Sequence, residues 1–230
     1  MIKSVLNRYK SFPIQVKASL WFLICSFLQK GISTVTTPIF TRIMNTTEYG
    51  QYNVFNSWLS IASIFVSLSL TGGVYAQGLV KFEKDRNVFT SSLQGLTLLL
   101  VAVWMVIYFI FHDFWNQLFT LSSVQMIAML VIIWTTAVFS FWSTEQRVNY
   151  KYKALVVITL VVSLAKPMVG IFCVSVTNDK VSARILGIAL VELIGYAWLF
   201  FIQVKRGEVL FSKKYWVYAL SFNLPLVPHY

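Results

Sequence analysis

The chain predicts an all-α membrane fold, with six complete transmembrane helices and the start of a seventh. Three observations carry this. Apolar residues come in runs of about 20, the length that spans a bilayer. Charged residues make up 12% of the 230 residues and the mean hydropathy is +0.70, whereas a soluble domain carries about 25% charge. Lysines and arginines gather in alternate connections. In lipid every backbone polar group needs an internal partner, which leaves helices or closed barrels. The runs are continuous rather than alternating in polarity, so helices are expected.

Residues 1–17 form a basic N-terminal segment with Lys3, Arg8, Lys10 and Lys17, and residues 1–16 suit a basic helix lying on the membrane surface. No small-residue cleavage pattern follows, so it does not read as a signal peptide. The six-helix bundle occupies 18–204, with spans near 18–41, 52–80, 92–112, 122–144, 154–177 and 185–204. The second run is too long for one crossing and holds Gly72, Gly73 and Gly78, so its end is expected to bend or leave the lipid. Residues 205–214 form a basic loop, and 215–230 begin a seventh helix. That last stretch contains SFNLPLVPHY, an apolar segment broken by Pro225 and Pro228. It reads as a span cut short, so a fragment or a truncated product is expected.

Orientation follows from charge. The N-terminal segment and the connections after spans two, four and six hold fourteen basic residues. They are the four already named, Lys81, Lys84, Arg86, Arg147, Lys151, Lys153, Lys205, Arg206, Lys213 and Lys214. The intervening connections hold only Arg42, Lys180 and Arg184. This alternation predicts a cytoplasmic N-terminus. It also accounts for the net charge of +11 without nucleic acid as a partner, since anionic lipid headgroups suffice. Cys25 and Cys173 fall inside apolar runs and read as packing residues, with no metal site or disulfide.

Polar residues fall in stripes at helical spacing. The first span carries Ser26, Lys30, Ser33, Thr37 and Thr41; the second carries Asn56, Ser60, Ser63, Ser67 and Thr71. The fourth carries Thr136, Ser140, Ser143 and Arg147; the fifth carries Thr159, Ser163, Lys166, Gly170, Cys173 and Thr177. Small polar stripes serve helix packing in membranes, but two of these hold a lysine, which points to a shared polar cavity. The third span has no such stripe and is expected at the lipid-facing edge. Lys30, Lys166 and Glu192 lie well inside their spans, where an ionisable group costs at least ~2.5 kcal/mol. One Glu192–lysine pair would leave a second lysine without an acid, since no other carboxylate is expected deep in a span. An anionic substrate explains such a cation. Pro167, directly after Lys166, frees a carbonyl one turn earlier, and broken helices near the midplane commonly form transporter sites.

Four stretches resemble the polysaccharide exporter family of O-antigen-type flippases, in the superfamily that also holds multidrug antiporters. They are FLQKGISTVTTPIFTRIMNTTEYGQYNVFNSW (27–58), GLVKFEKDRNVFTSSLQGL (78–96), FWSTEQRVNYKYKALVVITLVVSLAKPMVGI (141–171) and FSKKYWVYALSFNLPLVPHY (211–230). The resemblance implies the N-terminal bundle of a MATE-like two-bundle transporter in the bacterial inner membrane. Its substrate would be an undecaprenyl-pyrophosphate-linked oligosaccharide, an O-antigen or lipopolysaccharide repeat unit, moved to the periplasmic leaflet by alternating access. Coupling to H+ or Na+ is implied, with no other cofactor. Membrane lipids and other polysaccharide-assembly membrane proteins are the further expected partners. On this view Lys30, Lys166 and Arg42 attract the substrate and Glu192 couples the ion. Ser26, Ser33, Thr37, Asn56, Ser60, Ser63 and Ser163 line the cavity. A multidrug transporter would place acids in the cavity; a lipid II transporter is the closer alternative. Catalysis is not expected, because the eight acids offer no deep pair for acid–base work and His112 and His229 stand apart.

Overall fold

The computed structural model describes residues 12–225. The basic segment 1–11 and residues 226–230 lie outside them, and with these most of the expected surface helix and the end of the seventh span. Every regular element among the described residues is helical. In chain order they are α1 (Ile14–Ile43), α2 (Thr46–Ser67), α3 (Gly73–Lys81), a 3-10 turn (Glu83–Asp85), α4 (Arg86–Ile110), α5 (His112–Phe119), α6 (Ser123–Val148), α7 (Tyr152–Val176), α8 (Lys180–Gly207) and α9 (Lys213–Asn223).

Five of these are long and apolar enough to cross a membrane: α1, α4 together with its 3-10 turn, α6, α7 and α8. Helix α2 has the length, with 22 residues, but its asparagines, serines and threonines keep it too polar to meet the same measure. The expected second span therefore divides. Helix α2 starts earlier than expected, on a capping box in which Asn45 Oδ1 accepts from Glu48 N at 2.8 Å and Glu48 Oε2 accepts from Asn45 N at 2.7 Å. It stops at Leu68 and Ser69, both in the left-handed region at φ 48° and 50°. A side-chain-bearing residue there ends a helix, and the chain restarts as α3 at Gly73. Pro167 does not break α7, and α1 runs through Pro38 in the same way.

Helix α8 is the axis of the bundle. It packs along α7, α6 and α4, while α1 leans mainly on α7 and α2 bridges α6, α4 and α8. The reason is in its heptad-like buried stripe, Val181, Ile185, Ala189, Glu192, Tyr196, Leu199, Gln203 and Gly207. Spacing of three and four keeps these on one face. The opposite face carries Leu190, Ile194, Trp198 and Phe201, all exposed. Outside a membrane that would be a liability; in lipid it is the solvated face. The same inversion holds on α4 and α7.

Helix α4 corrects the expectation for the third span in its first half, which precedes the stretch expected to face lipid. Thr90, Ser91, Ser92, Gln94 and Thr97 are buried in the bundle, and Gly95 and Gly207 let backbones meet there: a Cβ on Gly95 would strike Leu210 O, and one on Gly207 would strike Asn87 O and Ser91. Only the second half of α4, from Leu98 onward, turns Leu99, Val103, Val106 and Ile110 outward.

The connections collect at two ends. At one end, α1–α2 meets α7–α8, where Lys180 Nζ donates to Ile43 O at 2.8 Å, and α5–α6 meets α8, where Gln125 Nε2 donates to Ser182 Oγ at 3.0 Å. We call this the far end. At the other end lie the clustered lysines and arginines, and we call it the basic end. Glu145, 7% exposed, is a further buried carboxylate there, in the last turn of α6. Arg206 clamps it with two bonds of 2.9 Å, Gln203 Nε2 reaches it at 3.4 Å, and Gln94 Nε2 donates to Gln203 Oε1 at 2.6 Å.

Candidate functional site

A polar cavity of about 280 Å³ opens between α1, α2, α7 and α8. Helix α1 supplies Gln29, Ser33, Thr36 and Phe40, at the i, i+4, i+7, i+11 spacing of one face. Helix α7 supplies Ser163 and Lys166, α8 supplies Arg184, and α2 closes one wall with Tyr52. Gln29 Nε2 donates to Ser163 Oγ at 3.0 Å, which ties α1 to α7.

Lys166 is not free. Its ammonium pairs with Glu192 Oε1 at 2.5 Å. The other carboxylate oxygen accepts from Thr135 at 2.8 Å and from Thr136 at 3.0 Å. Glu192 is 4% exposed, so three donors replace the water it has lost.

Thr136 also lines a second cavity, of about 370 Å³, between α2 and α6. Its walls hold Ser60, Ser63 and Ser67 on α2, Ser69 and Thr71 in the break after it, and Ser140 on α6. Glu192 thus sits in the wall between the two cavities, held by Lys166 from one and by Thr136 from the other.

The residues singled out in the sequence therefore separate into groups. Lys166, Ser33 and Ser163 line the first cavity with Glu192 behind them. Ser60 and Ser63 line the second. Asn56 is half-buried on α2 and lines neither. Ser26, Lys30, Thr37 and Arg42 are exposed on α1. The hydroxyls of Ser26 and Thr37 fold back onto Phe22 O and Ser33 O. Lys30 has no ion pair among the described residues.

Several members of the first cavity were not anticipated, among them Thr36, Tyr52, Gln29 and Arg184. Gln29 lies one position before Lys30, on the face that meets α7. Arg184 looked like a connecting-loop residue. It stands instead one turn into α8, whose start is fixed by Asp179 Oδ1 accepting from Ser182 N at 3.0 Å. An Asp-x-x-Ser start before an apolar run was the available signal.

A polytopic helical membrane protein with open cavities that carry polar side chains and a lipid-facing apolar coat is the class these features define. The chain belongs to the polysaccharide biosynthesis protein family, whose model matches residues 16–230. Neither a search of curated proteins nor a search of solved structures yields a match.

Proposed function

We propose that this chain is the N-terminal bundle of a flippase for lipid-linked oligosaccharides. The substrate is an O-antigen-type repeat unit on undecaprenyl pyrophosphate, carried from the cytoplasmic to the periplasmic leaflet of the inner membrane. The family membership supports a role in polysaccharide assembly. The observation that carries the transport reading is the exposed polar face of α1. Ser26, Lys30, Ser33, Thr37 and Thr41 all lie open on a helix apolar enough to cross a membrane. Lipid would penalise that face, above all the lysine. A water-filled path shared with an anionic substrate would not.

In this reading α2 completes a set of six spans and α9 begins a seventh. The basic end faces the cytoplasm, as the excess of lysine and arginine favours. Lys30 meets the substrate's pyrophosphate along the open face. Glu192 supports ion coupling by its position: neutralising it with a proton, or drawing it toward Na+, releases Lys166 into the first cavity and Thr136 into the second. No catalytic role is assigned, since the buried acids Glu145 and Glu192 are both held in ion pairs with basic residues.

The test deletes the gene and measures lipid-linked oligosaccharide on each leaflet of the inner membrane. Accumulation on the cytoplasmic leaflet, rescued by the wild-type gene and not by Lys30→Ala, supports the proposal. Unchanged distribution with intact surface polysaccharide refutes it. Accumulated lipid II in place of oligosaccharide would move the assignment to a lipid II transporter.

A further inference from the structure

Arg184 is 8% exposed, and no carboxylate pairs with it among the described residues. Its guanidinium lies 3.6 Å from the ring centroid of Phe40 and 3.5 Å from that of Tyr52, with Tyr49 at 5.6 Å. Two aromatic faces therefore cover it from the sides. Nη1 lies 3.6 Å from Met44 Sδ, a weak acceptor. Nε is buried with no hydrogen-bond partner.

This is an unusual state for a buried cation. Buried charges are normally paired, and a buried donor without a partner costs about 1–3 kcal/mol. Stacking offsets part of the charge cost through the ring quadrupoles. It leaves the edge of the guanidinium, where all its donors lie, with the Tyr52 hydroxyl and Met44 Sδ as neutral acceptors and no anionic one among the described residues. A stacked guanidinium edge fits an oxyanion through two parallel N–H···O bonds.

The surroundings supply the rest of a site. Arg184 lines the first cavity with Gln29, Ser33, Thr36 and Ser163, which offer an amide and three hydroxyls. At about 280 Å³ the cavity is close to the lower bound of small-molecule pockets, about 300 Å³. Lys166 sits on the same lining but is neutralised by Glu192, so the charge left for a ligand is that of Arg184. The eight steps from Arg184 to Glu192 along α8 correspond to about 12 Å, so the carboxylate engages Lys166 and not Arg184.

We infer that the cavity at Arg184 binds an oxyanion carried on a sugar, a carboxylate or a phosphate. Arg184 takes the charged group and the cavity hydroxyls and Gln29 take the ring hydroxyls. This rests on the transport reading and deepens it: the flipped glycan carries an acidic group, and Arg184 selects for it.

The experiment uses the purified full-length chain in nanodiscs of phosphatidylcholine, titrated calorimetrically with glucuronate, glucose 1-phosphate and neutral glucose. Saturable binding of at least one anionic sugar and not of glucose is expected, and the one that binds identifies the group. Arg184→Gln should weaken that binding at least tenfold, and Lys153→Ala, an exposed residue at the basic end, should leave it unchanged. If Arg184→Gln does not give a monodisperse protein, Arg184→Lys carries the test. It keeps the charge and loses the planar fork, and tenfold weaker binding supports the site. Equal binding by the Arg184 variant, equal binding of glucose, or no binding of either anion overturns it. Loss of sugar binding in phosphatidylglycerol nanodiscs would assign the site to a lipid headgroup and overturn the sugar. A protein that restores transport in the deletion strain but binds no anionic sugar refutes this inference and leaves the flippase standing. Binding without transport does the reverse.

Discussion

Replacing Lys166 by methionine removes one half of a buried ion pair and keeps the length of the side chain. Glu192 then keeps the hydroxyls of Thr135 and Thr136 on one oxygen and nothing on the other. Breaking one side of a fully buried pair costs about 3–5 kcal/mol. The Lys166 side chain is 32% exposed toward the cavity while that of Glu192 is 5% exposed, so solvent screens part of the interaction. Together with the two remaining hydroxyls, this lowers the expected loss to about 2–3 kcal/mol. A chain of this size loses about 2–4 °C of Tm per kcal/mol, so Lys166→Met should melt about 5–10 °C lower in a fixed detergent. Replacing both groups, as Lys166→Met with Glu192→Leu, removes the stranded charge. Thr135 still has Val131 O and Ile132 O as acceptors. The double variant should therefore recover to within about 1 kcal/mol of wild type, as buried pairs replaced by apolar groups often do. Tryptophan fluorescence during thermal denaturation reads wild type, Lys166→Met, Glu192→Leu and the double variant. A single variant that melts within 2 °C of wild type, or a double variant whose loss is the sum of the two singles, would refute the pair as the holder of α7 against α8.

Three other predictions rest on separate parts of the bundle. Gly207→Ala places a methyl against Asn87 O and Ser91 and should destabilise by about 1–3 kcal/mol, seen as a lower Tm and a smaller monodisperse fraction. Glu145→Gln loses the two-bond clamp from Arg206, which is 39% exposed, so a loss of about 1–2 kcal/mol is expected, read in the same melt. Lys30→Ala removes an exposed side chain without an ion pair among the described residues, so its Tm should match wild type while lipid-linked oligosaccharide transport falls. Lys30→Arg should retain transport, and failure of both to alter it would remove Lys30 from the path.

The membrane class and most helix positions were legible, because runs of apolar residues and alternating basic connections are one-dimensional signals. The pairing of Lys166 with Glu192 was one of the options open from depth alone. What escaped was anything set by rotation or by contact between distant segments. The polar stripe on α1 is real, but the face that meets α7 is offset from it by one residue, through Gln29 and Thr36 instead of Lys30 and Thr37. Helix α4 was placed at the edge because Thr97 to Phe111 carries no polar stripe, while its polar residues crowd into 90–97. That crowd is the part that packs on Gly207 and Gln203 of α8. Glu145 looked like part of a basic connection, since its partner Arg206 lies 61 positions away. The stop in α2 was half visible: the glycines at 72 and 73 marked the region, but the left-handed turn falls on Leu68 and Ser69. Asn223 of α9 donates to Leu68 O at 2.9 Å, which satisfies a carbonyl that the broken helix leaves open.

That last contact joins α9 to the break in α2. The Leu68 carbonyl lies at the break between α2 and α3, beside the cavity whose wall carries Thr136. Thr136 holds Glu192, and Glu192 holds Lys166 in the other cavity. The chain of contacts thus runs from α9 through the α2 break to both cavities, with the Lys166–Glu192 pair in the middle. A change in the charge of Glu192 alters the hydrogen bonds of α6 and α7 at once, because Thr135, Thr136 and Lys166 all donate to it. Contiguity alone does not establish coupling. The physical requirement is an element with two arrangements, and a helix interrupted at Leu68 and Ser69 is better suited to that than a continuous one, since a short irregular segment can absorb the change in φ and ψ. If α2 and α3 pivot there, Asn223→Ala should change transport rate more than it changes oxyanion binding at Arg184, because it touches the hinge and not the cavity.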